Sequence, residues 1–301
     1  MIGPWNHLTQ VAAVVGQEGL SDEVGLSRGY QQWPRLLDWL GHHLKGEPLQ
    51  YPASGVSSYV VNGGGWIHRD SWPPPTEPRL FRPGPGGEPK QCTGQLSTDG
   101  GPGEVQFTYD PLDPTPARGG AGVLAGSFPL WKGAEPGFIH QGRLCEKRDD
   151  LVGFVSGPLE EDLHIAGRIE AQVAFASDAG DTAVNVRVLE LRPDGKRIHV
   201  REGIKALSHR DGRGYAVYQP GEVVEVALET FPVEYVFEAG SRVMVQFASA
   251  SFPKYEAHTN VPGPWAEVDL TALARQRVIF EGTQITLPEV LPERAEEPVE
   301  N

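Results

Sequence analysis

The sequence predicts a mainly β protein, an antiparallel jelly roll or β-sandwich preceded by a short N-terminal stretch with one amphipathic helix. Three observations carry this. Beyond about residue 57 the apolar residues recur with period 2, and no helical pattern intervenes. Glycine (37 residues) and proline (27) are abundant, as many short strands joined by turns require. A period near 3.6 is confined to residues 30–45.

Residues 8–29 are small, polar and Gly-rich and read as a loop. Trp33, Leu36, Leu37, Leu40 and Leu44 then form a helical stripe. Pro34 suits the first turn, where a missing N–H costs nothing, and Gly46 followed by Pro48 closes the helix. In the β region, Ile165, Ile169, Ala171, Val173 and Phe175 fall on one face of a single strand. Val184, Val186 and Val188 alternate with Asn185 and Arg187 in the next. Pro193-Asp194-Gly195 is a turn signal, so that strand and Ile198–Val200 should form a hairpin. Val243, Val245 and Phe247 mark a further strand, and Arg277–Phe280 begins the last. No period of 20–50 residues repeats, which argues against a solenoid or propeller. The switch of period places a boundary near residues 46–57, giving units 1–50 and 51–287. Residues 288–301, rich in Pro and Glu, are expected to be a disordered acidic tail.

The chain has 26 basic and 40 acidic side chains, a net charge of −14. Such a surface repels phosphate backbones, so nucleic acid is not an expected partner. No apolar run approaches the roughly 18 residues of a membrane span, and no membrane partner is expected. The N-terminus lacks a basic segment followed by an apolar one, and a cytoplasmic location is expected. Cys92 and Cys145 could form one disulfide, but they make neither a disulfide framework nor a zinc-ligand spacing.

His7, in Gly3-Pro4-Trp5-Asn6-His7, is the candidate catalytic residue. No G-x-S-x-G occurs: Gly55-Val56-Ser57-Ser58-Tyr59 lacks the last glycine, and in Gly153-Phe154-Val155-Ser156-Gly157 the serine is one place late. His42 and His43 are neighbours on a helix and point about 100° apart, so a solvated face is preferred to a metal pair. His68, His140, His164, His199, His209 and His258 have no ligand-like spacing and are read as surface or strand residues. Trp66, Trp72, Trp131 and Trp265 could form a sugar platform, but core plugs or interface anchors are favoured. Asp149-Asp150 lacks the recurring carboxylates of a calcium loop.

Several segments carry a family resemblance. Met1–His7 resembles the strand end, turn and catalytic-histidine presentation of the cocaine-esterase and X-prolyl dipeptidyl-peptidase serine hydrolases. Further segments of that family's C-terminal jelly roll follow in order. They are Trp66 with Trp72–Pro75; Tyr109-Asp110-Pro111 through Gly119-Gly120; Arg143, Glu146 and Arg148–Asp150; Ser156–Asp162; Asp181-Thr182; Pro193-Asp194-Gly195; Glu202-Gly203-Ile204; and Ser251-Phe252-Pro253. Together they reach from residue 1 to about 285. One departure is Ala183, where the family often has a second acid after the Asp-Thr pair.

The resemblance implies that residues 1–50 are the remnant of an α/β-hydrolase domain, with Lys45-Gly46 ending a helix that packs on the hydrolase sheet. It implies acyl transfer through an acyl-enzyme on esters, amides or Xaa-Pro peptides, with His7 as general base and acid and with no metal or organic cofactor. In α/β-hydrolases the serine and acid precede the histidine, so this chain is expected to lack both and to be inactive alone. A separately encoded hydrolase half or self-association are the implied partners, besides the small ester, amide or peptide substrate. The alternative is a free-standing β-sandwich module binding carbohydrate or a protein, for which residues 1–45 would have no use.

Overall fold

The structure is a computed structural model and describes residues 2–3, 32–52, 54–119, 138–263, 267 and 269–292. Helix α1 spans Gln32–Lys45. Its end is as the sequence requires: Gly46 takes φ +74°, a left-handed conformation glycine adopts without strain, and donates its N–H to the His42 carbonyl at 2.9 Å. The chain then turns back, and the Asp38 carboxylate accepts the N–H groups of Gln50 and Tyr51. The Arg35 guanidinium lies 4.7 Å from the centre of the Tyr51 ring. The apolar stripe is mostly uncovered, with Leu37 63% and Leu44 76% exposed.

Strands β1 (Val56–Val60) and β2 (Gly65–Arg69) form a two-stranded antiparallel ribbon. The other twelve are β3 (Thr76–Gly84), β4 (Gly94–Ser97), β5 (Glu104–Tyr109), β6 (Leu151–Val155), β7 (Leu163–Gly167), β8 (Glu170–Ser177), β9 (Ala183–Leu191), β10 (Arg197–Ala206), β11 (Val224–Glu229), β12 (Val233–Phe237), β13 (Arg242–Ala248) and β14 (Ala274–Val290). They make one continuous sheet in the order β10-β9-β13-β6-β4-β3-β14-β7-β12, with β8 and β5 also on β14 and β11 on β8. The sheet folds into the two layers of a sandwich. Phe154 of β6 packs edge-on to Phe247 of β13 and to Phe280 of β14, which brings the layers together in one core. The inward sides of β9 and β13 supply Val184, Val186, Val188, Val243, Val245 and Phe247, the alternation read from the sequence.

The β9–β10 hairpin forms as expected, with Gly195 N–H bonded to the Arg192 carbonyl and Lys196 N–H to Asp194 Oδ1. Three details differ from the sequence reading. The single strand expected over 165–175 is two: the chain breaks at Gly167 (φ +129°), and β7 pairs with β12 while β8 pairs with β11 and β14. The last strand begins at Ala274, before Arg277. It also continues to Val290, so residues 288–290 belong to the sandwich and not to an acidic tail. Pro288 is tolerated because it stands opposite Pro78, and this register makes the pair a non-hydrogen-bonded one in which neither N–H is needed. Midway, β14 carries extra residues between Ile279 and Gln284, with Gly282 at φ +87°. There the Thr283 hydroxyl accepts the Ala174 N–H in place of a ladder bond.

The outward side of the β10-β9-β13-β6 half is also buried. Cys92 and Cys145 are joined there in a disulfide, in a small second core with Leu151, Leu189 and Met244. Among the described residues no helix is long and apolar enough to cross a membrane; this says nothing of strands.

Candidate functional site

His7 lies outside the described residues. The chain that leads to it is described at Ile2–Gly3. Ile2 donates its N–H to the Ser57 carbonyl (2.7 Å), and its own carbonyl accepts the Tyr59 N–H (2.9 Å). Two residues further along the same edge of this strand, Val61 exchanges backbone bonds with Glu234 and Val236 of β12. Ile2 and β12 therefore line one edge of β1 end to end, with β2 on the other.

One carboxylate fixes this junction. Glu234, almost wholly buried, pairs with Arg69 Nη1 of β2 at 2.8 Å and accepts from Trp72 Nε1 at 2.8 Å and His164 Nε2 of β7 at 3.2 Å. Arg69 Nη1 also donates to Ser58 Oγ. Burial alone would raise the pKa of Glu234. The bonds from His164, Ser58 and Trp72 and the charge of Arg69 outweigh it and hold the carboxyl at about 2. Four strands and the loop after β2 thus meet at one ion.

The family-like segments converge in a second place, the outward face of β9 and β10. Register sets Arg187 of β9 opposite Gln246 of β13 and Glu202 of β10. A β-bulge between His199 and Arg201 lets His199 and Glu202, three residues apart, share that face. Glu202 pairs with Lys254 Nζ at 2.8 Å and lies 3.5 Å from Arg187 Nε. Arg187 Nη2 donates to the carbonyls of Pro116 and Ala250, joining the Asp110–Gly119 loop to the Ser251-Phe252-Pro253 segment. Phe252 and Pro116 form a parallel bridge beside it. Arg148 grips Asp150 through two bonds, 2.7 and 2.9 Å, and reaches Asp113 at 3.2 Å. Glu146 pairs with Arg197 at 2.7 Å. Asp181 accepts the N–H groups of Thr182 and Ser208 and faces His258 at 3.4 Å. Burial opposes its ionisation, but the bonds from His258 and Ser208 hold its pKa below the usual carboxylate value. His199 is a strand residue, as expected, yet it is fully buried, and burial lowers its pKa to about 3, leaving the ring neutral. The arrangement ties loops to a sheet; Ser208 Oγ lies 3.1 Å from His209 Nδ1, and no carboxylate among the described residues is hydrogen-bonded to that ring.

The other sequence candidates resolve as follows. Trp66 packs edge-on to Tyr59 against the core and Trp72 bonds Glu234, so both are anchors; Trp131 and Trp265 lie outside the described residues. Asp150 is taken by Arg148. His42 Nδ1 bonds the Glu47 carbonyl, and among the described residues no group of three His, Cys, Asp or Glu is placed to hold a metal. A cleft of about 420 Å³ between α1 and the ribbon is lined by Trp39, His42, Tyr51, Ser57 and His68. Ser57 Oγ lies 3.1 Å from His68 Nδ1, but among the described residues no carboxylate bonds the other ring nitrogen, so the triad pattern is incomplete.

The molecule is thus a β-sandwich with one helix and a strand end attached to it. Residues 53–286 match the family of X-Pro dipeptidyl-peptidase C-terminal non-catalytic domains, and the chain belongs to that family. It is 27% identical over 278 residues to the cocaine esterase of Rhodococcus sp. (strain MB1 Bresler), covering 90% of this chain and 46% of that protein. Its fold is similar to that of an aminopeptidase from a marine sediment Thaumarchaeota archaeon (TM-score 0.80, 22% identity, 96% of this chain and 49% of the other). It is likewise similar to an α-amino acid ester hydrolase (TM-score 0.77, 21% identity, 95% and 49%). The chain thus spans less than half the length of the relatives it matches.

Proposed function

We propose that the chain is the C-terminal portion of a serine hydrolase that cleaves esters, amides or Xaa-Pro peptides through an acyl-enzyme. His7 serves as general base toward the serine and general acid toward the leaving group. The sandwich is a scaffold: it binds the strand end before His7 along β1, and the uncovered stripe of α1 meets the part of the enzyme that supplies the serine and acid. The observation that carries this reading is the match of residues 53–286 to the X-Pro dipeptidyl-peptidase C-terminal family, together with the 27% identity to a cocaine esterase over 90% of this chain. The buried Cys92–Cys145 bond favours folding in an oxidising compartment over the cytoplasm expected from the sequence; rapid alkylation of cell lysate reads its state. The purified chain alone should not hydrolyse p-nitrophenyl acetate or a Gly-Pro arylamide. Turnover above background that vanishes in His7→Ala would overturn the claim that the chain needs a further part.

A further inference from the structure

The β1–β2 ribbon is held to the sandwich in two different ways along its length. At one end the backbone does it: Val61 donates its N–H to the Glu234 carbonyl (3.1 Å) and accepts that of Val236 (3.0 Å). At the other end Ile2 is bonded to Ser57 and Tyr59, and among the described residues no backbone bond joins Val56–Tyr59 to the sandwich. There the link is made by side chains. Arg69, opposite Val56 in the ribbon, reaches the Glu234 carboxylate with Nη1 at 2.8 Å, and the same nitrogen donates to Ser58 Oγ at 3.0 Å. Ser58 is the residue that stands beside Ile2 in their parallel bridge. Glu234 therefore supplies an attachment at each end, its carbonyl to Val61 and its carboxylate to the Ile2 end. Trp72 Nε1 and His164 Nε2 hold that carboxylate in one orientation.

A ribbon of two five-residue strands is marginal by itself, so these attachments decide where it lies. The Glu234 side chain is 1% exposed and that of Arg69 13%. A buried ion pair adds little net stability over apolar side chains of the same volume; its best-attested use is to fix one register among several. We propose that Glu234 is a positioning residue for the hydrolase reaction. Through Arg69 and Ser58 it sets the place of the β1 end that binds Ile2, and so the point from which the chain runs on to His7, five residues later. This inference rests on the hydrolase reading above. Glu234 itself touches no reacting group. It contributes alignment, and misplacing a catalytic group by about 1 Å costs on the order of 100-fold in rate.

Two readouts on the full chain and its Glu234→Gln variant test this. Glutamine fills the same volume and still accepts from Trp72, but it carries no charge for Arg69. In the chain alone, amide exchange at Tyr59, whose N–H is bonded to the Ile2 carbonyl, should quicken about tenfold or more, and by a larger factor than at the amides of β9. Equal factors at the two places would mean a general loss of stability and overturn the proposal, as would an unchanged Tyr59. With a hydrolase fragment supplying the serine and acid, the variant should lose about 10–100-fold in kcat for p-nitrophenyl acetate while KM stays within about twofold, and Glu234→Asp should recover part of the loss. An unchanged kcat, or a loss confined to KM, would overturn it. If Tyr59 responds as expected but the wild-type mixture is inactive, the hydrolase reading has failed and Glu234 is a structural anchor only. Should Glu234→Gln not fold, Ser58→Ala leaves the ion pair intact and should quicken exchange at Tyr59 in the same local pattern; no local effect there would overturn the proposal.

Discussion

Removing the Cys92–Cys145 disulfide should cost more stability than any single surface change, and the cost can be worked from the structure. The bond closes a loop across a sequence separation of 53 residues. In the chain-entropy treatment a loop of that length restricts the unfolded chain by about 4 kcal/mol. Both cysteines are 1% exposed in the small core with Leu151, Leu189 and Met244, so replacement by alanine adds a smaller loss of packing. The tethered segment continues into Glu146 and Arg148, which grip Arg197 and Asp150, so native ion pairs retain its position after the bond is cut. The penalty should therefore fall mainly on the unfolded state. Urea unfolding of Cys92→Ala/Cys145→Ala should show a loss of about 4 kcal/mol. For a chain of 301 residues this is a fall of about 6 °C in the thermal midpoint. A loss below about 1 kcal/mol, or equal midpoints for oxidised and reduced wild type, would refute the reasoning.

Glu234→Ala leaves Arg69 without its buried counter-ion and should destabilise by about 3–5 kcal/mol, read by chemical denaturation, with Glu234→Gln costing less. His199 is held neutral down to about pH 3, whereas in the unfolded chain it takes a proton near 6.5, so protons bind preferentially to the unfolded state between those values. Stability should fall as pH drops through that window, and His199→Phe should flatten the upper part of the fall in a midpoint-against-pH series. The carboxylates Glu202 and Glu234, held at about 2, add to the loss only below the unfolded carboxylate pKa near 4.3. Leu37→Glu on the uncovered stripe of α1 should reduce self-association in sedimentation over a range of concentrations while leaving the unfolding free energy within about 0.5 kcal/mol of wild type.

Much of this molecule was legible in its sequence where a local rule decides the structure. The α1 stripe, Pro34 and Gly46 define a helix and its end without reference to anything distant. Pro193-Asp194-Gly195 fixes the β9–β10 hairpin in the same way. The ordered family-like segments indicated the jelly roll. What escaped depends on partners far along the chain. Periodicity runs through Gly167 without a break, because residues on both sides face the same core, yet β7 and β8 pair with different neighbours. Proline at 288 argues against a strand by itself, and only the pairing with Pro78, distant in sequence, makes one possible there. The disulfide was one possibility among others, since spacing alone does not bring two cysteines together. Asn185 and Arg187 alternate with the core valines, and nothing in that pattern marks them, His199 or Glu202 as buried. They are buried because the loops from 110–119 and 249–260 cover that face, and alternation cannot reveal a cover. The bulge at His199–Arg201 left no signal in composition.

The central claim is that His7 belongs to a serine hydrolase whose serine and acid come from another part of the enzyme. The most direct measurement mixes the chain with a hydrolase fragment carrying G-x-S-x-G and the triad acid but ending before the histidine. Hydrolysis of p-nitrophenyl acetate should appear on mixing, be lost in His7→Ala, and be retained in His68→Ala and His42→Ala. If the two parts associate and the mixture stays inactive, or if activity survives His7→Ala, the account is contradicted.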